Sequence, residues 1–225
     1  MKKKIKYLLQ IILSIPKTLY FNFRCFNFKI AIRFPVFIAY NVKILEIYKN
    51  CVEIIGKKKI SMIKIGIGGT PSITSNKSII YLNKKMGGKI IFRGNAKFSE
   101  GISIYNNGGI LEIGSNFSCN KNCSFSSDKN IKIGNDCLFG WNVTIRDSDG
   151  HKLFSNNKVK NGCEKITIGN HNWICANVSI LKNNTTGDDC VISYNSCLVN
   201  IKAENNELIA GYPAVITKKN INWEK

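Results

Sequence analysis

From Ile168 onward, large aliphatic side chains recur at every sixth position: Ile168, Ile174, Ile180, then Thr186, Ile192 and Leu198, with Thr186 the one exception. The same step yields triplets upstream: Ile133, Phe139 and Ile145; Ile113, Cys119 and Phe125; Phe92, Phe98 and Ile104. Glycine often follows the apolar position, as at Gly114, Gly134, Gly140 and Gly169. The fourth residue after it is usually small or apolar, as at Cys123, Val143, Val178 and Cys190. A period of six is neither the 3.6 of a helix nor the 2 of a strand. It predicts a short strand and a tight turn, repeated, with one large side chain pointing inward per repeat. Three such strands close a triangular coil of about 18 residues, and stacked coils bury a continuous column.

The interruptions carry as much information as the repeat. Within each triplet the spacing is six. Between triplets it is 9 (Ile104 to Ile113), 8 (Phe125 to Ile133), 23 (Ile145 to Ile168) and 6 (Ile180 to Thr186). All of the irregularity therefore falls at one corner of the triangle, where a loop can leave the stack without disturbing it. The 23-residue gap reads as one inserted loop, 146–165, holding most of the polar chemistry. Upstream of Phe92 the pattern fades. Residues 1–60 are expected to form a basic N-terminal helix and cap over the open end of the stack, and residues 61–225 the repeat domain.

The chain starts with Lys2, Lys3, Lys4 and Lys6, followed by an apolar run to Ile15 and Pro16. This is similar to a secretion signal but lacks a small-residue cleavage site. It is too short to span a bilayer, which needs about 20 apolar residues. The pattern predicts a short helix stopped by Pro16. Such a segment lies on an anionic membrane, with Lys2, Lys3, Lys4, Lys6 and Lys17 near the headgroups, packs on its own protein or a neighbouring subunit, or is a cleaved signal.

Charge divides the chain. Its 225 residues hold 33 Lys+Arg against 14 Asp+Glu, a formal net charge of +19. Residues 1–99 carry 17 Lys and 3 Arg against Glu46 and Glu53, or +18, and residues 100–225 contribute the remaining +1. Only Arg24, Arg33, Arg93 and Arg146 are arginine. Base reading and phosphate forking favour arginine, so no specific nucleic-acid partner is expected. The nine cysteines are odd in number, form no CxxC pair and have no histidine at zinc spacing. They read as reduced, mostly buried thiols of a cytoplasmic protein without a metal site.

The repeat, the loop segment Arg146-Asp-Ser-Asp-Gly-His151, the segment from Ile168 to Lys182 and the tail from Ile209 to Ile216 together resemble the hexapeptide-repeat acyltransferases. Within them the chain is most similar to sugar and polysaccharide O-acetyltransferases encoded with bacterial capsule and O-antigen genes. The resemblance covers about residue 90 to the C-terminus. It implies a mainly β protein: a left-handed parallel β-helix with an N-terminal cap and a short C-terminal extension. It also implies a homotrimer with acetyl-CoA held between subunits. The chain departs from the family pattern at Cys175, where glycine is usual, at Thr186, where an aliphatic residue is usual, and at Tyr212, where asparagine is common.

Acetyl transfer to a hydroxyl needs a base, and an imidazole titrates near neutral pH. The chain has two histidines. His151 lies in the inserted loop, where the resemblance places the family's catalytic histidine, and is the expected general base. Asp149 or Asp147 would orient it, or a backbone carbonyl would do so instead. Asn142, at a family position facing the acceptor, together with Trp141 and His171, is expected to contact the sugar. Trp173, Ala176, Lys182, Tyr212, Pro213, Lys218 and Lys219 are expected along acetyl-CoA. No cysteine sits beside a histidine in sequence, so direct transfer is preferred to an acyl-enzyme. The competing readings are an amino-sugar N-acetyltransferase on the same fold and a non-enzymatic basic solenoid that binds a membrane surface or polymer. A carbonic-anhydrase-like zinc protein would need three histidines per metal.

Overall fold

The computed structural model of the chain describes residues 2–156, 158–159 and 162–224. Among these, the first coil is formed by β1 (Val36–Ile38), β2 (Lys43–Glu46) and β3 (Val52–Ile54). The second is formed by β4 (Ile63–Ile65), β5 (Ile79–Leu82) and β6 (Lys89–Phe92). β4 pairs in parallel on β1, β5 on β2 and β6 on β3. Repetition of this pattern builds three sheets, here faces I, II and III, with nine, seven and six strands. The chain turns from face to face at corners I–II, II–III and III–I. This is the parallel β-helix expected from the period and the resemblance, and the resemblance carries its left hand.

The six-step residues form the interior. On face I, Phe98, Cys119, Phe139, Ile174, Ile192 and Ile209 lie in register, one above the next. All are buried. On face III the column ends on Thr186, 2% exposed, where an aliphatic residue is usual. The Gly169 N–H lies 3.4 Å from the Thr186 hydroxyl, so the buried oxygen is not left unpaired. Corner III–I explains the glycines. A Cβ on Gly134 would lie 2.4 Å from the Gly169 carbonyl oxygen of the next coil. Only glycine lets the two backbones approach so closely. We expect Gly134→Ala to cost about 1–3 kcal/mol, read as a lower urea midpoint at unchanged slope.

Beside these glycines runs a ladder of side-chain oxygens. Asn135 accepts from the Ser115 N–H at 2.9 Å, Asn170 from Asn135 at 2.8 Å, Asp188 from Asn170 at 2.6 Å and Asn205 from Asp188 at 2.8 Å. Each coil thereby hydrogen-bonds the turn of the next where the strands have ended.

The N-terminal region departs from expectation twice. The stack begins at Val36 rather than near residue 61, because β1, β2 and β3 already pair into the three faces. The helix does not stop at Pro16: α1 runs Lys2–Cys25 with Pro16 inside it. What holds α1 is a polar stripe at a spacing of four, aligned on one face. Asn22 brackets Val36, donating to its carbonyl at 2.6 Å and accepting from its N–H at 3.2 Å. Thr18 makes the same pair of bonds with Ile38, and Ser14 accepts from the Tyr40 N–H at 2.9 Å. The free edge of β1 is thus satisfied by side chains of α1. The Cys25 and Cys51 sulfurs, 3.6 Å apart, fasten the helix end to the first coil.

Candidate active site

The inserted loop leaves corner II–III after the strand Thr144–Arg146 and returns to the strand Ile166–Ile168. Its neck is closed by backbone bonds from Asp149 N–H to Gly162 O, 2.8 Å, and from Glu164 N–H to Asp147 O, 2.9 Å. Beyond the neck, Phe154–Ser155 and Lys158–Val159 form a small antiparallel hairpin. Leu153, Phe154 and Val159 project from it, each about 60% exposed. His151 stands just outside the neck and is exposed.

Both candidate orienting carboxylates are committed elsewhere. Asp147 is fully buried and turned down onto the preceding coil. It accepts from the Asp128 and Lys129 N–H groups at 2.7 and 2.9 Å, with the Ser127 hydroxyl at 3.3 Å. Burial pushes its carboxyl above the ordinary range, against the pull of those N–H groups. Asp147 therefore anchors the loop root and does not orient His151. Asp149 points up to the next coil and pairs with Lys182 at 2.5 Å. Lys182, expected on acetyl-CoA, thus also belongs to the loop root. The reason is local geometry: the two aspartates flank the neck strand and reach to the coils on either side. Asp147→Ala would strand two buried N–H donors and should cost about 2–4 kcal/mol in urea denaturation, whereas Asp147→Asn keeps one acceptor and should cost about 1 kcal/mol or less.

The other candidates lie at different corners. Trp141 and Asn142 are at corner I–II. Asn142 adopts φ +56° there, as Asn177 and Asn195 do one and two coils on. Its amide donates to Asn177 at 2.9 Å, and Asn177 donates to the Tyr194 hydroxyl at 2.6 Å. Buried Ala176 and half-buried Cys175 share this corner. So does the turn at Tyr212 and Pro213, between the antiparallel strands Leu208–Gly211 and Ala214–Lys218 of face I. Tyr212 is 80% exposed.

His171 is at corner III–I, in the left-handed position (φ +49°) that Asp136 and Asp189 fill in neighbouring coils. Its Nδ1 lies 2.7 Å from Asp189, and its ring stacks on Trp223 at 4.3 Å. Trp223 donates its indole N–H to the His171 carbonyl at 2.8 Å. His171, expected to touch the sugar, is instead covered by the C-terminal tail. Trp173 lies on face I with its ring 5.8 Å from that of Trp223. Lys219 is held by Glu207 and Glu204 at 3.2 and 3.6 Å, and Lys218 is exposed. The Trp223 clasp had no sequence signal, since it depends on the path of an irregular tail.

The expected site residues therefore separate into three groups: His151, Asp149 and Lys182 at corner II–III; Trp141, Asn142, Ala176, Tyr212 and Pro213 at corner I–II; His171 and Lys219 at corner III–I. Face II lies between the first two. Among the described residues, no group of three or more His, Cys, Asp and Glu is placed to hold a metal.

No family model matches the chain. It is 33% identical over 98 residues to a polysialic acid O-acetyltransferase of Escherichia coli O1:K1 / APEC, a match covering 43% of this chain and 32% of that protein. It is 29% identical over 203 residues to an uncharacterized 24.8 kDa protein of the cps region of Klebsiella pneumoniae, covering 90% of this chain and 87% of the other. Among solved structures, a galactoside acetyltransferase in complex with coenzyme A is 28% identical, in a match covering 56% of this chain and 64% of that one, with a TM-score of 0.48. The match spans about a third of the length of the E. coli relative. The chain is thus similar, over less than half of its length, to polysialic acid O-acetyltransferases.

Proposed function

We propose that this protein is an acetyl-CoA-dependent O-acetyltransferase that modifies a sugar hydroxyl of a bacterial surface polysaccharide or its precursor, by direct transfer with His151 as general base. The observation that carries the reading is the 33% identity to a polysialic acid O-acetyltransferase. The exposed His151 on the inserted loop supports it. In this reading His151 takes the acceptor's hydroxyl proton as the oxygen attacks the thioester carbonyl. It then returns the proton to the departing sulfur. The Cys175 and Asn177 N–H groups donate to the Ile192 and Trp141 carbonyls, so the Ala176 N–H is the backbone donor that would face the oxyanion.

His151 and the acetyl-CoA group at corner I–II, Ala176, Tyr212 and Pro213, occupy different corners of one protomer, so in this reading one chain does not complete the site. A homotrimer completes it if the loop of one protomer reaches corner I–II of the next. Leu153, Phe154 and Val159, exposed at the loop tip, suit such a contact. The nine free cysteines suit the reducing cytoplasm, where acetyl-CoA would be drawn.

The test is incubation of the purified protein with radiolabelled acetyl-CoA and a panel of capsular polysaccharides, free sugars and amino sugars. The expected product is labelled glycan whose label is released by hydroxylamine, as an ester is. Hydroxylamine-stable label on amino sugars alone would replace the reading with N-acetylation. Absence of transfer to every acceptor would favour the non-enzymatic solenoid.

A further inference from the structure

The helix α1 meets the protein through a polar stripe beside the buried Phe21 and Cys25, and is apolar where it faces away. Its inward stripe is Ser14, Thr18 and Asn22, bonded to β1. Its outward residues include Ile5, Leu8, Ile12, Ile15, Leu19 and Phe23, which are 39–57% exposed. At 3.6 residues per turn these fall within an arc of about 80°. Between Tyr7 and Phe23 the only charged residue is Lys17. Its ammonium is turned inward, to the carbonyls of Tyr40 and Val42 at 2.5 and 2.6 Å. A surface helix ordinarily shows the reverse arrangement, with apolar residues toward the core.

The apolar ridge continues past the helix. Phe28 and Ile32 are 70% and 48% exposed, and the Phe23 ring lies 6.1 Å from those of Phe28 and Phe34. Beside it stand exposed cations: Arg24 in the last turn, Lys29 and Arg33 after the helix, and Lys59, two residues from Ser61, whose N–H donates to the Phe34 carbonyl. Among the described residues, no helix is long and apolar enough to cross a membrane.

We propose that this end of the molecule docks on an anionic lipid bilayer, with α1 lying in the plane of the surface. The apolar arc would enter the acyl boundary and the cationic rim would meet the headgroups. Charge decides between this partner and a second copy of the chain. Two copies meeting ridge to ridge would bring two sets of Arg24, Lys29 and Arg33 to one contact, and residues 1–45 hold no Asp or Glu to offset them, whereas an anionic surface is complementary to them. The side chains of Lys2, Lys3, Lys4 and Lys6, expected near the headgroups, lie outside the described residues, and the proposal does not use them. It is also independent of acetyl transfer.

The test is flotation of the full chain with vesicles of pure phosphatidylcholine or of phosphatidylcholine with about a third phosphatidylglycerol. The double variant Ile12→Glu/Leu19→Glu is compared. Both positions are solvent-facing, so folding should be kept, and an unchanged melting temperature verifies it. Wild type should float with the anionic vesicles, lose binding in high salt, and bind at least about tenfold more tightly than the variant. Equal binding of the two proteins would overturn the proposal, as would no preference for anionic lipid. A lipid-free assembly that the double variant dissociates, with no vesicle binding by wild type, would overturn it in favour of a contact between copies. Acetyl transfer to a soluble acceptor, measured on the same variant, should be unchanged. Its loss with binding intact would bear on the enzyme reading and leave the docking surface standing.

Discussion

Replacing His151 by alanine is expected to lower acetyl transfer by about 10²–10⁴-fold, the range that a positioned general base supplies. The loss should fall on kcat, because the imidazole acts as the hydroxyl proton moves, while KM for acetyl-CoA should change little. The melting temperature should be unchanged, since His151 is an exposed residue outside the loop neck. His171→Ala is the informative comparison. His171 packs under Trp223 and against Asp189, so its loss should lower stability and leave kcat nearly intact. A His151→Ala enzyme within about threefold of wild type would remove His151 from the mechanism.

The second expected result is recovery of activity from two inactive proteins. Cys175→Trp places a large ring at corner I–II, where Cys175 is half-buried beside Ala176. By itself it should abolish transfer by blocking the acetyl-CoA arm, and His151→Ala should abolish it by removing the base. Co-expressed in equal amounts, the two variants should give roughly a quarter of wild-type activity. In a ring where each site takes its loop from one protomer and its corner from the next, one site in about four then has both parts intact. Activity no higher than either variant alone would place base and acetyl-CoA within one chain. Each variant is first shown to fold by its melting curve, so that a failure of mixing is not a failure of assembly.

The repeat was legible because its constraint is geometric. Ile133, Phe139 and Ile145 must each point to the axis, and six residues is the distance from one face to the next. The loop was legible for the same reason, as the one long break in the step. The early coils were not, because their corners are unequal. Gly66 to Ser78 makes a long excursion between β4 and β5, and residues 55–62 another between β3 and β4. The six-residue step is lost there although β1 to β6 stack like the rest. Pro16 misled because a helix-breaking preference worth about 3 kcal/mol can be outweighed by the bonds from Ser14, Thr18 and Asn22 to a strand distant in sequence. Asp147 and Asp149 looked like partners of His151 because they are near it in sequence. The chain bends at the loop neck and carries them to the coils below and above instead.

The stripe on α1 also bears on how the molecule avoids growing. Every coil of a parallel β-helix presents the backbone that the next coil needs, so an uncovered terminal coil is a template for another chain. At one end Asn22 and Thr18 occupy the N–H and C=O groups of Val36 and Ile38. At the other, Ala214–Lys218 lies antiparallel on Leu208–Gly211 and interrupts the parallel pattern. Together they act as chain terminators on face I: two short polar side chains at one end and one reversed strand at the other deny another copy the parallel template.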